Sequence, residues 1–268
     1  LKSPVRVIIR EGDYFFSEPL FLTIEDSGTK ENPITWEAAT NEKVVISGNM
    51  RIESEWKTED NRIYYTDIPN WNNIKSYYRE GRTGEAIPNH RWHFRQLFVN
   101  GERQQIARYP NNDFLLLTET NYEKPEVVYV NAEDVKKSWK DEPQAEIFLY
   151  EKTSWFNTLT FLKDVKSESG KTFFVRDGYE MWGTRENNRY YVFNILEELD
   201  SPGEWYLDYQ KGRLYYYPKD GTMKNKIVQA PLTHSLFEVG DDVNKNKQVS
   251  NITIKGFCFN KFNHCSAI

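Results

Sequence analysis

The sequence predicts an all-β protein assembled from short strands, and three observations support this fold class. Aromatic residues make up 15% of the 268 residues, a fraction typical of β-rich cores and unlike that of disordered chains. Apolar and polar residues alternate with period two in several short segments that are bounded by turn residues. The N-terminal 50 residues show no helical periodicity.

Four strands are predicted in this N-terminal segment. They run over residues 5–9, from about 20 to 24, over 34–38 and over 44–47. Glycine- and aspartate-containing turns separate them, the clearest of which is at residues 26–29. The spacing indicates short strands that turn at regular intervals.

A segment near the C-terminal end repeats this pattern. Residues 252–256 read Ile-Thr-Ile-Lys-Gly, and residues 34–38 read Ile-Thr-Trp-Glu-Ala, with the same order of inward and outward side chains. Repeated short strands of this kind are typical of solenoids, in which successive coils stack in parallel. We therefore expect the two segments to belong to stacked coils.

The long stretch between these segments has a different sequence pattern. It is rich in strand patterns but irregular, and it contains the hairpin signal Asn100-Gly101 between two strands. We interpret it as a β-sandwich-like domain inserted between two coils. The predicted organisation is N-terminal coils at 1–50, the insert at 51–247 and resumed coils at 248–268.

The insert contains a second hairpin and two helical segments by the same reasoning. The hairpin joins 205–208 to 213–218 through a loop with Gly212. A short helix is predicted from Ala132 to Trp139, with Asn131 as its N-cap. A helical turn is predicted at 195–199.

Several of these segments resemble known families. The opening coils of pectate-lyase-like right-handed parallel β-helix proteins are similar to residues 7–14, 26–29, 32–35 and 44–48. A group of β-helix glycosidases that includes glycoside hydrolase family 141, with α-L-fucosidase and xylanase activities, is similar to residues 97–103, 107–110, 199–208 and 212–218. The β-xylosidases of family 120 also carry a β-sandwich inserted into a β-helix.

This resemblance implies a secreted or periplasmic bacterial enzyme that hydrolyses polysaccharides. In these families the catalytic carboxylates lie on later coils than this chain contains, so no residue here inherits a catalytic role. Residues 249–268 offer no polar cap, and we expect the native chain to continue beyond them. Two alternatives stay open: a polysaccharide lyase on the same scaffold, and a non-catalytic carbohydrate-binding module.

An oligosaccharide or polysaccharide is the expected partner, and four aromatic or imidazole side chains are candidates for contacting it. Aromatic rings in polar loops can stack on sugars, but large aromatic side chains more often pack inside a protein. For each candidate, packing is therefore the competing hypothesis. The candidates are Trp71, Trp92, His93 and Trp155.

Acidic residues are most concentrated in the segment before and within the second predicted hairpin. Glycoside hydrolysis needs two carboxyl groups at a separation of ~5 Å or of ~6.5–9.5 Å, and the sequence cannot single out such a pair. A structural role is favoured, in which the acids lie on the solvated side of a strand or cap the turn. The residues concerned are Glu197, Glu198, Asp200, Glu204 and Asp208.

Composition argues against several other classes. Lysines and arginines are scattered in a chain of net charge -5, which does not suit nucleic-acid binding. No apolar run approaches the ~18 residues of a membrane span. His90 and His93 lack an evident third ligand, so neither a metal nor another cofactor is predicted. Cys258 and Cys265 are expected to be buried free thiols.

Overall fold

The structure is a computed structural model of the chain, and it describes residues 3–79, 86–177, 183–240 and 248–260. The predicted fold class is confirmed at the level of an all-β protein, because the described helices are all short 3₁₀ turns. These turns are Ile24–Asp26, Trp71–Asn73, Ala132–Asp134, Lys137–Asp141 and Leu196–Glu198. None of the described helices is long and apolar enough to cross a membrane.

The strands of the described residues, in chain order, are β1 Val5–Ile9, β2 Gly12–Phe15, β3 Leu20–Leu22, β4 Ile34–Ala38, β5 Val44–Ser47, β6 Asn49–Arg51, β7 Lys57–Thr58, β8 Tyr64–Asp67, β9 Lys75–Arg79, β10 Ala86–Arg91, β11 Leu97–Val99, β12 Glu102–Ile106, β13 Arg108–Tyr109, β14 Leu115–Leu116, β15 Val127–Val130, β16 Glu146–Tyr150, β17 Asn157–Glu168, β18 Lys171–Arg176, β19 Arg189–Phe193, β20 Glu204–Asp208, β21 Arg213–Tyr216, β22 Val228–Pro231, β23 Phe237–Val239, β24 Ile252–Lys255 and β25 Phe257–Asn260.

The described residues divide into two compact units. One contains residues 3–52, 72–79, 86–101, 227–240 and 248–260. The other contains residues 53–71, 102–177 and 183–226. The boundaries after residues 50 and 247 follow from the change between a regular and an irregular strand pattern in the sequence, and they stay a prediction.

Parallel strand pairs dominate the first unit. β4 lies between β1 and β24, with Ile34 opposite both Val5 and Ile252. β5 lies between β2 and β25, and β23 pairs with β3; all these pairs are parallel. The register therefore aligns the two Ile-Thr starts that the sequence comparison matched.

A small apolar core lies between these parallel sheets. Val44, Ile46 and Leu236 are buried, and partly buried side chains such as Phe237 and Phe257 pack against them. Strand alternation then places the residue after Phe257 on the opposite face. The prediction of a buried Cys258 is wrong for this reason, since its thiol is exposed and free. Cys265 lies outside the described residues.

Antiparallel strands complete the first unit. β22 pairs with β6 on one side and with β11 on the other. β9 and β10 form a separate antiparallel pair. After β11, Asn100 and Gly101 have φ angles of 50° and 83°. Two successive positive φ angles are what a type I′ turn requires, as the sequence predicts.

The second unit contains a seven-stranded sheet whose paired strands are antiparallel. Its path runs β13-β19-β16-β17-β18-β15, and β14 also pairs with β19. A large core covers one face of this sheet. Its fully buried side chains include Val128, Trp139, Ile147, Phe174 and Tyr190.

The same unit contains a second group of strands in the order β12-β20-β21-β8-β7. β20 pairs parallel with β12 and antiparallel with β21, so the predicted second hairpin is confirmed. Gly212 closes this hairpin with a φ of 68°. A Cβ atom added to Gly212 would lie 2.2 Å from the indole Cγ of Trp71, so the turn requires glycine both for its conformation and for its contact.

The helix predicted from Ala132 to Trp139 is wrong as a continuous element. Two 3₁₀ turns occupy the region, and Val135 between them has an extended conformation with φ -115°. Asn131 precedes the first turn without a side-chain capping bond to the backbone. A β-branched valine disfavours the helical conformation, and Trp139 instead joins the sheet core. The helical turn predicted at 195–199 is present as Leu196–Glu198.

A buried ion pair between β18 and the loop after β16 provides the first prediction. Arg176 Nη1 lies 2.7 Å from Glu151 Oε1, and both side chains are fully buried. The substitution Glu151→Ala leaves a buried guanidinium without its counter-charge, which costs about 3–5 kcal/mol of unfolding free energy. Urea denaturation measures this loss.

The exposed pair Lys163–Asp177 is the matched control. Asp177→Asn should change the unfolding free energy by less than about 1 kcal/mol, because solvent screens an exposed pair. Equal losses in the two variants would contradict the assignment of a structural role to the buried pair.

The hairpin turn provides the second prediction. Gly212→Ala combines left-handed strain with a clash against Trp71, and it should lower the unfolding free energy by about 2–4 kcal/mol. Gly170 is the control, since it has a φ of 76° but no atom within 4 Å of an added Cβ. Gly170→Ala should cost only the strain, about 1–2 kcal/mol. If thermal melting shows the two variants to be equally stable, the contact between Trp71 and the turn is unimportant.

Candidate functional site

Trp71 is a packed residue of the second unit. Its side chain is 4% exposed, and its indole N–H donates to the carbonyl of Tyr209 at 2.8 Å. The ring lies against the backbone of Gly212, as the turn geometry requires. Both the ring and the polar end of Trp71 are therefore used inside the protein.

Trp92 is packed in the same way within the first unit. It is 1% exposed, and its N–H donates to the carbonyl of Pro231 at 2.7 Å. Phe94 covers it with a centroid separation of 4.7 Å. The neighbouring His93 is half-buried. The covered indoles of Trp71 and Trp92 leave no ring face on which a sugar could stack in this structure.

Trp155 has the opposite environment. It lies in the loop between β16 and β17, and its side chain is 88% exposed. The preceding Ser154 has a φ of 59°, and its hydroxyl accepts a hydrogen bond from the side-chain amide of Asn188 at 3.0 Å. The loop backbone is thus anchored while the indole projects into solvent. Among the four sequence candidates, Trp155 keeps an open ring.

The acidic residues around β20 act as turn caps. Glu204 is buried and accepts hydrogen bonds from the backbone N–H groups of Asp200 and Ser201 at 3.2 and 3.0 Å. Its burial raises the pKa of this carboxyl. The expected placement on a solvated side is wrong for Glu204, because every residue of β20 is buried. The expected capping role is confirmed.

Glu198 is also buried rather than solvated. Its carboxylate accepts a hydrogen bond from the indole N–H of Trp139 at 2.9 Å and pairs with the ammonium of Lys136 at 2.7 Å. Glu197 accepts a hydrogen bond from the hydroxyl of Ser138. These bonds tie the 3₁₀ turn Leu196–Glu198 to the turn that carries Trp139.

Asp208 caps the next turn. Its Oδ1 atom accepts hydrogen bonds at 3.0 Å from the backbone N–H groups of Gln210 and Lys211 and from the side chain of Gln144. Burial raises its pKa, but the hydrogen bonds from Lys211 and Gln144 outweigh burial, and the pKa of Asp208 lies below its ordinary value. Nearby, burial and the charges of Glu197 and Asp208 raise the pKa of Glu142.

A patch that the sequence reasoning missed lies on β16 and β19. These strands pair with Phe148 opposite Tyr191, and strand alternation divides their side chains between two faces. Ile147 and Tyr190 are completely buried in the core on one face. Phe148 and Tyr191 stack on the other face, with ring centroids 4.8 Å apart and an interplanar angle of 10°.

Further side chains extend this patch, which we call the outer aromatic face. Phe114, before β14, packs against the rings of Phe148, Tyr150 and Tyr191 at centroid distances of 6.1, 6.1 and 5.7 Å. These four rings are half-buried. The outer aromatic face consists of Phe114, Phe148, Tyr150 and Tyr191 with two arginines, Arg108 and Arg189.

The two arginines differ in what their guanidinium groups contact. Arg108 lies 3.7 Å above the Tyr191 ring and donates to the carbonyls of Pro110 and Asp113. It therefore holds the loop that leads to Phe114. Arg189 is exposed and lies 4.4 Å from the centroid of Tyr150 and 5.0 Å from that of Phe114. Its contacts within the described part of the chain are these two rings.

The tyrosine hydroxyl groups of this face also lack hydrogen-bond partners among the described residues. The hydroxyls of Tyr150 and Tyr191 make no hydrogen bond to any other described residue. Burial raises the pKa of Tyr191, so its hydroxyl stays neutral and able to donate. The face thus combines half-buried rings, which pack against one another, with two hydroxyl groups that no other described residue bonds.

The sequences of β16 and β19 contain a signal that could have indicated this face. The strand sequences Glu-Ile-Phe-Leu-Tyr in β16 and Arg-Tyr-Tyr-Val-Phe in β19 place large side chains on both faces. Such a pattern predicts a strand with two covered or functional faces. The pairing of strands that are about 40 residues apart was not readable from local pattern.

Possible metal ligands were compared over residues 3–79, 86–177, 183–240 and 248–260. These residues contain no group of three or more His, Cys, Asp or Glu side chains placed to hold an ion. The side chain of His90, which the sequence pairs with His93, lies outside the described residues.

The Asp208 cap predicts a pH-dependent stability. Because its folded pKa is depressed, its ionised form stabilises the protein fully above the unfolded pKa of ~3.9. That stabilisation is lost as the pH falls through the lower folded value. Asp208→Asn should cost about 1–3 kcal/mol at pH 7, and the difference from wild type should shrink below pH 4. Urea unfolding at pH 7 and pH 3 measures both values, and an equal difference at the two pH values would refute the assignment.

Comparison with known proteins gives two positive findings. Residues 180–219 match the family model of the GH141 insertion domain, a segment that contains β19, β20 and β21. A solved structure titled "Glycoside hydrolase" is similar over 98% of this chain at 24% identity, with a TM-score of 0.74. No curated protein matches the chain.

The extent of these matches limits what they show. The chain spans 44% of the length of that glycoside hydrolase. A second structure, titled "The complex structure of XylC with xylose", is aligned over 95% of this chain and 30% of its own at 15% identity, with a TM-score of 0.38. A score this low supports no conclusion. The chain thus has the fold of part of a glycoside hydrolase, and one segment of it is similar to the insertion domain of family 141.

Proposed function

We propose that this chain is the front portion of a glycoside hydrolase that degrades polysaccharides, with fucosidase-, xylosidase- or xylanase-like specificity. The observation that carries the proposal is the match of residues 180–219 to the GH141 insertion domain. The similarity in fold to a solved glycoside hydrolase adds support. The activity would belong to the whole enzyme, which we expect to be a secreted or periplasmic bacterial protein.

The proposal includes a right-handed parallel β-helix for the first unit, with a β-sandwich-like insert as in family 120. Support comes from the three groups of parallel strands, β1-β4-β24, β2-β5-β25 and β3-β23. Consecutive strands of the chain fall in different groups, as in a coil that visits three sheets per turn. Parallel connections are nearly always right-handed.

Further coils would stack on β24 and β25. Among the described residues, each of these strands has a partner on one side, β4 and β5 respectively. Phe259 on β25 is 43% exposed, and a following coil would cover it. The catalytic carboxylates are expected on such coils, which fits a relative of more than twice this length.

The substrate contacts within this chain follow from the exposure of its aromatic residues. Trp155 presents an open ring, the rings of the outer aromatic face are half-buried, and the indoles of Trp71 and Trp92 serve packing. Aromatic rings offer large apolar faces with little loss of conformational entropy on binding. A carbohydrate-binding role for the chain is therefore compatible with hydrolysis elsewhere in the enzyme.

The proposed activity is tested with the full-length protein on aryl α-L-fucosides, aryl β-xylosides and xylan. Hydrolysis adds water across the glycosidic bond, so we expect released aryl alcohol and new reducing ends. A polysaccharide lyase would instead give an unsaturated product that absorbs in the ultraviolet. Inactivity on the whole panel, or an unsaturated product, would contradict the proposal.

A further inference from the structure

Arg189 is the residue of the outer aromatic face whose environment needs an explanation. Its guanidinium carries five N–H donors, and among the residues that the structure describes it contacts the rings of Tyr150 and Phe114 only. Contact with two rings restricts the position of the guanidinium, but no described residue accepts a hydrogen bond from its donors. An oriented guanidinium without a carboxylate is a ready site for an anion, because its fork matches two oxygens at once.

Arg108 lies on the same face, and its hydrogen bonds give it a structural role. Its donors go to the carbonyls of Pro110 and Asp113, and its plane covers Tyr191. Burial lowers its pKa from the ordinary value, as expected for a charge that is partly removed from water. Arg108 is built into the loop, whereas Arg189 faces solvent with its charge available.

The rings beside Arg189 define the shape of the ligand. Phe148 and Tyr191 form a stacked pair across β16 and β19, and Tyr150 lies two residues from Phe148 on the same face. The hydroxyls of Tyr150 and Tyr191 have no partner among the described residues. A ligand that suits this face has apolar surfaces, several hydroxyl groups and a negative charge.

We propose that the outer aromatic face binds an oligosaccharide that contains uronic acid residues. A sugar packs against the exposed parts of these half-buried rings, its hydroxyls bond to Tyr150 and Tyr191, and its carboxylate pairs with Arg189. The choice of a carbohydrate rests on the proposed function, and the choice of an acidic one rests on the position of Arg189.

One further observation concerns the position of this arginine. β19, which carries Arg189 and Tyr191, lies within the segment that matches the GH141 insertion domain. Because Arg189 has no carboxylate partner among the described residues, an anionic ligand would supply one.

Binding is tested by isothermal titration calorimetry of the full-length protein with trigalacturonic acid. The neutral counterpart is the trimethyl ester of the same trisaccharide, which keeps the rings and loses the charge. We expect the acid to bind about tenfold more tightly than the ester, the size of one hydrogen bond to a charged group. Binding of the acid should weaken as salt is raised from 50 to 500 mM.

Three variants distinguish the face from general electrostatics. Arg189→Gln should weaken binding of the acid about tenfold and leave binding of the ester unchanged. Tyr191→Phe keeps the stacking and should weaken both ligands severalfold. Arg185→Gln is the matched control, because Arg185 is exposed, lies four residues away and contacts no ring of this face. It should bind like wild type.

The proposal is overturned if Arg189→Gln binds trigalacturonic acid as tightly as wild type, or if Arg185→Gln loses as much. Equal affinity for the acid and the ester would also overturn it, and would point to a neutral glycan. No binding of either ligand by a folded protein would overturn the proposal as well. Calorimetry detects binding whether or not the protein hydrolyses any glycoside, so failure here is separate from failure of the proposed activity.

Discussion

The antiparallel register between β16 and β19 is the constraint on which the second unit and its candidate site depend. With Phe148 opposite Tyr191, the alternate residues Ile147, Leu149, Tyr190 and Val192 enter the core and are completely buried. A slip of one residue would exchange the two sets, and would place arginine-capped rings in the core. The buried face therefore fixes the positions of Phe148, Tyr150 and Tyr191 on the outer face.

Buried polar bonds hold the same region together. The pair Arg176–Glu151 and the hydrogen bond from Thr158 to Glu151 connect β18, β17 and the loop after β16. That loop carries Trp155, and it is further anchored by Asn188. Because charged groups without partners are very costly in a dry interior, this network leaves the loop few alternative conformations. An exposed indole on an anchored loop is consistent with a contact surface.

Local patterns in the sequence predicted the strands well and the tertiary environment of single residues poorly. The strands at 34–38 and 44–47 occur with the predicted bounds, because alternation and turn residues act within a few positions. The burial of Trp71 and Trp92 depends on Gly212 and Pro231, which are more than 130 residues away in sequence. Polar neighbours in the chain gave no indication of these contacts.

The acidic cluster and the outer aromatic face both depend on contacts between distant strands, which local sequence patterns do not reveal. Glu204 and Asp208 cap turns as predicted, but a strand covered on both faces buries them. Alternation in β16 places Phe148 and Tyr150 on the outer face, and alternation in β19 places Arg189 and Tyr191 there. Its function as a unit appears only when the two strands are paired.

The most direct measurement is a crystal structure of the full-length protein with a trisaccharide of uronic acid. We expect a carboxylate bonded to the guanidinium of Arg189 and a sugar packed against the outer aromatic face. A structure in which this face is buried under another part of the enzyme, or in which the trisaccharide lies elsewhere while Arg189 pairs with a protein carboxylate, would contradict it.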